Sequence, residues 1–142
     1  VGWLYSTTIL EGDVTPYTCI ASYGDTLYVS LLGAEGPLIV AYRVANNTIV
    51  KIAQYLIGDY RLFGMTHDGV EHLYYIHEYN ELYGAIYRLD TVTGSIEILP
   101  ILLYPRPQSP GNRLVYYNEH LIYVRGDGTS ELYVIPLKYV LS

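Results

Sequence analysis

Cysteine, methionine, phenylalanine and tryptophan each occur once in the 142 residues. Lysine is confined to Lys51 and Lys138, and glutamine to Gln54 and Gln108. A lone cysteine, Cys19, excludes an internal disulfide framework and a multi-cysteine zinc site. No apolar run reaches the roughly 18 residues of a membrane helix, so a helical span is excluded. Charged residues make up only 15%, and 8 Lys+Arg against 14 Asp+Glu leave a net charge of −6. That sign argues against a nucleic-acid backbone as the main partner. The scarcity of lysine, glutamine and alanine removes the usual fillers of helices. What is abundant is tyrosine, with 18 residues in a chain that is 51% hydrophobic. Apolar content this high excludes disorder, and the length is one domain's worth.

Tyrosine, valine, isoleucine and threonine favour half-buried pleated surfaces. Short runs such as Thr26–Val29 and Leu121–Val124 have strand length and are bounded by turn formers. The chain therefore reads as all-β. It also repeats. Leu27, Leu73 and Leu121 are 46 and 48 residues apart, and Tyr42, Tyr87 and Tyr133 are 45 and 46 apart. A period of 45–48 residues falls in the range of a four-stranded propeller blade. The first strands of the units are expected at Thr18–Ser22, Leu62–Thr66 and Leu114–Tyr117, and the last at Ile49–Tyr55 and Ser95–Leu99. Between the first two strands of each unit, Gly24-Asp25, Asp68-Gly69 and Asn118-Glu119 supply hairpin turns. Asp90–Gly94 and the shorter Asn46-Asn47 supply the later turns. The segment 100–111 holds four prolines and is expected to connect the second unit to the third.

The pattern Tyr87-Arg88-Leu89-Asp90-Thr91-Val92-Thr93-Gly94 after Leu73-Tyr74-Tyr75 resembles the blade repeat of β-propellers, in its kelch-like form. Where kelch blades carry a Gly-Gly pair, this chain has Leu32-Gly33, Tyr79-Asn80 and Gly126-Asp127-Gly128, and no outer strand holds a tryptophan. The resemblance implies an outer strand at 1–10, blades at 17–57 and 61–104, and a partial blade at 112–142. Strand 1–10 of the same or another chain would complete that partial blade, with residues 138–141 as a short further strand. Three blades do not close a ring, so the arc is expected to be half of a six-bladed propeller or a piece of a longer one. Val1 in place of an initiator methionine points to a processed chain or an excised domain.

Candidate chemistry is sparse. His67, His72 and His77 recur every five residues, which alternates faces along a strand and suits no metal site. Cys19 sits in an apolar run without an adjacent base and reads as a small hydrophobe. Ser109-Pro110-Gly111 lacks the surroundings of a nucleophile elbow. The aspartates at turns, Asp25, Asp68, Asp90 and Asp127, read as caps of their own hairpins. Glu78, Tyr79, Glu81 and Tyr83 combine acids with aromatic rings in one loop, a pairing suited to sugar hydroxyls. Tyr60, Tyr104 and Trp3 are candidates for an interaction surface. Asn46-Asn47-Thr48 fits the glycosylation acceptor pattern, a pointer to an extracellular, cell-surface or virion setting.

No catalytic set, metal or cofactor emerges from these residues. The expected function is a binding or assembly module whose partner is a second copy, with a dimer favoured, or the remaining blades of a longer chain. A structural subunit of an extracellular or viral assembly and a carbohydrate-binding or glycoside-processing propeller are the alternatives.

Overall fold

A computed structural model of the chain describes residues 6–110, 113–125 and 131–141. The chain is all-β, in three antiparallel sheets taken in sequence order. The first sheet holds β1 (Ile20–Tyr23), β2 (Thr26–Gly33), β3 (Gly36–Ala45) and β4 (Thr48–Leu56). The second holds β5 (Met65–His67), β6 (His72–Glu78), β7 (Gly84–Asp90) and β8 (Ile96–Leu103). The third holds β9 (Leu114–Tyr117), β10 (His120–Val124) and β11 (Leu132–Pro136), followed by a 3-10 turn at Leu137–Tyr139. Among the described residues no helix is long and apolar enough to cross a membrane.

The turns form where small or amide side chains permit left-handed backbone. Asn46 and Asn47 take φ of 51° and 62° between β3 and β4, and Gly24 takes 60° between β1 and β2. Both are two-residue hairpins, closed by Ala45 opposite Thr48 and Tyr23 opposite Thr26. Asn118 and Glu119 repeat the doubly left-handed form at 49° and 61° between β9 and β10.

The second sheet lies between the other two, and alternation along its strands feeds two cores. Leu73, Tyr75 and Leu89 face the first sheet and meet Tyr28, Ile39 and Ala41 there. Tyr74, Ile76 and Ile86 face the third and meet Leu121, Tyr123 and Ile135. Most of these side chains are fully buried, each contributing on the order of 1.5–3 kcal/mol. The closest approaches between sheets run along their first strands, β1 beside β5 and β5 beside β9. Gly64 enforces the second approach, because a Cβ there would stand 2.7 Å from the Leu114 Cβ.

Three expectations are corrected. Pro100 to Leu103 belong to β8 rather than to a connection. Tyr87 pairs with Ile98 and Ala85 with Leu102, so the ladder slips between them and Pro100 falls in the irregular stretch of an edge strand. A residue without an N–H is tolerated there. Residues 138–141 form no strand: the N–H groups of Val140 and Leu141 both turn back to the Leu137 carbonyl. In the expected outer strand 1–10, residues 6–10 have no strand partner, and the remainder lies outside the described residues. The segment crosses the open face of the first sheet, where Ile9 packs on Val29, Leu31, Val40 and Tyr42. Beyond it, Asp13 and Leu32 make an isolated bridge.

The third correction concerns the repeat itself. Leu27 lies opposite Tyr42, whereas Leu73 lies opposite Leu89 and Leu121 opposite Ile135. Aligned on the leucines, Tyr42 therefore matches Leu89, and the counterpart of Tyr87 is Val40. Hairpin lengths explain the slip, since Gly33 pairs with Gly36 across a two-residue turn while Glu78 pairs with Gly84 across five residues. A two-residue slip keeps the same face, which is why the tyrosine spacing still looked periodic.

Candidate functional site

The turns at one end of the second sheet gather its polar side chains. After β5 the chain reverses over Asp68 to Glu71, and Asp68 Oδ1 accepts the N–H groups of Val70, Glu71 and His72 at 2.8, 3.1 and 3.1 Å. After β7, Asp90 Oδ1 accepts those of Val92 and Thr93 at 2.8 and 3.1 Å. Thr91 fastens the two turns together, its N–H and hydroxyl both donating to the Glu71 carbonyl at 2.8 and 2.7 Å. These aspartates cap their hairpins as the sequence implies. Asp25 does not cap its turn by side chain; it stands 3.8 Å from Arg43. Asp127 is outside the described residues.

His72, opposite Asp90 in the ladder, stands between the two caps. Its Nδ1 lies 3.2 Å from Asp68 Oδ2, and its Nε2 lies 3.9 Å from Asp90 Oδ2. Burial alone would raise the Asp68 carboxyl, but the N–H groups of Val70 and His72 outweigh it and hold the group below the usual carboxylate range. The N–H groups of Thr93 and Val92 do the same for Asp90. Glu71, His72 and Asp90 each bring one donor atom to within 4.8 Å of the others. Arg88 projects from β7 beside them and bonds to Glu97. A cleft of about 340 Å³ opens between the second and third sheets, lined by Asp68, His72, Tyr74, Arg88, Tyr116 and Lys138 among others. A smaller one, about 210 Å³, opens on the other side of His72 against Asp90, Ser95 and Glu97.

The arrangement can hold a polar or cationic group. The one thiol is 1% exposed, and burial pushes Cys19 up to about 12. It packs as the expected small hydrophobe.

At the opposite end of the second sheet lies the loop of Glu78, Tyr79, Glu81 and Tyr83. Glu78 is engaged by cations, with Arg106 Nη1 at 2.8 Å and Arg61 Nη2 at 3.6 Å. Arg61 in turn holds Asp59 at 3.0 Å. Asn80 organises the loop by accepting the N–H groups of Leu82 and Tyr83. Tyr83 leans on Tyr104, with ring centroids 5.5 Å apart, while Tyr79 and Glu81 stand in solvent. The loop thus spends its best acid on a structural ion-pair chain.

The histidines part company as strand parity requires. His77 stacks on Tyr87 at 4.0 Å, on the side facing the first sheet, and its Nδ1 donates to the Glu78 carbonyl. His67 is stacked against Tyr23 and Tyr28 from the first sheet. Only His72 turns toward the third sheet. Sequence reasoning weighed the three histidines together and the aspartates one by one, and so missed the grouping of Asp68, His72 and Asp90. The four-residue step from Asp68 to His72 across a turn was a usable signal; the pairing of His72 with Asp90 needs the register.

Of the proposed interaction residues, Tyr104 is exposed, and Tyr60 lies edge-on to Tyr17 at 6.1 Å. Trp3 lies outside the described residues. Asn46 is exposed at its hairpin tip. A larger apolar surface lies elsewhere. One face of the third sheet carries Val115, Ile122, Val124, Leu132 and Val134, of which Val115, Leu132 and Val134 are 51%, 60% and 53% exposed. At the other end of the stack, an apolar groove of about 390 Å³ separates residues 6–11 from Leu27, Val29, Tyr42 and Ile49. Comparison with family models, curated proteins and solved structures gives no match.

Proposed function

We propose that the chain is a non-catalytic assembly module, an arc of three propeller-type blades that completes itself against a second copy. One observation carries the reading. In the first two sheets, the face holding Tyr28, Ile39 and Ala41, or Tyr74, Ile76 and Ile86, is covered by the leucine-tyrosine face of the next sheet. The equivalent face of the third sheet, Ile122, Val124, Leu132 and Val134, is left half exposed, with no sheet against it among the described residues. Its natural complement is another leucine-bearing face, and the one with no described sheet against it is that of the first sheet, which residues 6–13 of the same chain cross. The approach of β1 to β5 and of β5 to β9 supports blades that fan from a common axis.

Two arcs joined in this way use the contact twice about a twofold axis. Among the described residues sheet three has three strands where the others have four, and residues 6–10 of the partner, which have no strand partner in the isolated chain, would leave the first sheet's face to supply the fourth. Light scattering across a concentration series tests the reading. A dimer is expected, and Val134→Lys should return it to monomer with the same circular dichroism. A wild type that stays monomeric, or a dimer that Val134→Lys leaves intact, overturns it.

A further inference from the structure

We propose that Glu71, His72 and Asp90 form a binding site for a divalent transition-metal ion of the zinc type. His72 stands between two carboxylates. Asp68 Oδ2 lies 3.2 Å from Nδ1, and Asp68 itself is anchored through Oδ1 by three backbone N–H groups. That contact orients the ring from behind and leaves Nε2 on the opposite side, 3.9 Å from Asp90 Oδ2. Asp90 spends its other oxygen, Oδ1, on Val92 and Thr93, which leaves Oδ2 for a cation. Glu71 brings the third donor within the same 4.8 Å. Its backbone is clamped by Thr91, which fixes where its side chain starts.

A carboxylate behind the histidine, the imidazole and two further carboxylates match the outer and inner shells of a transition-metal site. Zinc takes such donors at about 2.0–2.2 Å, which requires Nε2 and Oδ2 to close by roughly half an ångström. The imidazole nitrogen selects against calcium and magnesium, which prefer all-oxygen shells. The 210 Å³ cleft at His72, Asp90 and Ser95 gives the ion an entry path and room for water ligands. Arg88 borders that cleft, and its charge is matched by Glu97.

The test is a zinc titration of the full chain after dialysis against a chelator, followed by calorimetry and, with Co²⁺ in place of zinc, by visible absorption. One saturable site is expected. Glu71→Gln and Asp90→Asn should each weaken it at least tenfold, and His72→Gln should abolish it. Asp68→Asn keeps an acceptor for the turn and should weaken binding about 10–100-fold through the imidazole alone. Circular dichroism and the urea midpoint confirm that each variant is folded. Nitrogen NMR should place the metal on His72 Nε2. The proposal is overturned if the wild type takes up no zinc, if His72→Gln binds as tightly as wild type, or if His72 instead carries protons on both nitrogens in the presence of excess zinc.

Discussion

The two ends of the sheet stack carry the same kind of side chain and meet different fates. On the first sheet, Val29, Leu31, Leu38, Val40 and Tyr42 are buried, because residues 6–13 cross them. Ile9 packs on that face, and the Tyr42 hydroxyl donates to Glu11. On the third sheet, Val115, Val124, Leu132 and Val134 are exposed, with no such cover among the described residues. The difference teaches that β-branched alternation creates a face that needs a neighbour but does not say which neighbour. In the first sheet a strap from the same chain partly serves; between sheets another sheet serves fully.

Side-chain truncation sharpens that contrast most strongly. Leu73, fully buried between the first and second sheets, should cost about 2–5 kcal/mol on Leu73→Ala, read as a drop in the urea midpoint. Leu132→Ala on the bare face should cost less than about 0.5 kcal/mol in dilute protein. A loss at Leu132 comparable to that at Leu73 would show the face already covered in solution.

Acidity should act on the boundary between the first and second sheets and spare the end faces. Burial lowers both His67 and His77, so the unfolded chain binds protons that the folded one refuses. Stability is then fully present above the ordinary histidine value of 6.5 and declines as pH falls below it. Asp59, Asp68 and Asp90, all held low, add their own loss only below the ordinary carboxylate range. Urea midpoints at pH 7.5 and 5.5 should differ, and His77→Gln should shrink the gap. Equal midpoints in the wild type would contradict this.

The smallest expected effect lies in the third sheet's own hairpin. Glu119 adopts φ of 61°, a conformation that asparagine and glycine accept more readily. Glu119→Asn should raise the midpoint by a few tenths of a kcal/mol. The same exchange in reverse, Asn47→Glu at φ of 62° in the first sheet, should lower it by a similar amount.

Much of the fold was legible along the chain. Strand-length apolar runs bounded by turn formers, repeated along the chain, located β2, β3, β4, β6, β7, β9 and β10, because β-branched and aromatic residues suit a pleated surface. Turn chemistry at Gly24, Asn46 and Asp90 marked the reversals, because left-handed backbone and N–H capping restrict residue choice. The candidate site was not legible. His72 and Asp90 are 18 residues apart and meet only through the ladder of β6 and β7. Pro100 misled because local propensity does not reveal that β8 lies at an edge where the ladder slips.

By itself the sequence determined an all-β chain, since short runs of β-branched and aromatic residues between turn formers leave no helical stripe. It also determined which side chains cap the second unit's turns. Only the tertiary structure decided which face meets which. A two-residue slip leaves parity unchanged, so Tyr42 could stand for Tyr87 in the sequence and for Leu89 in the fold. Local chemistry sets the face a side chain belongs to; register and stacking, which depend on hairpin length and long-range contact, set its neighbours.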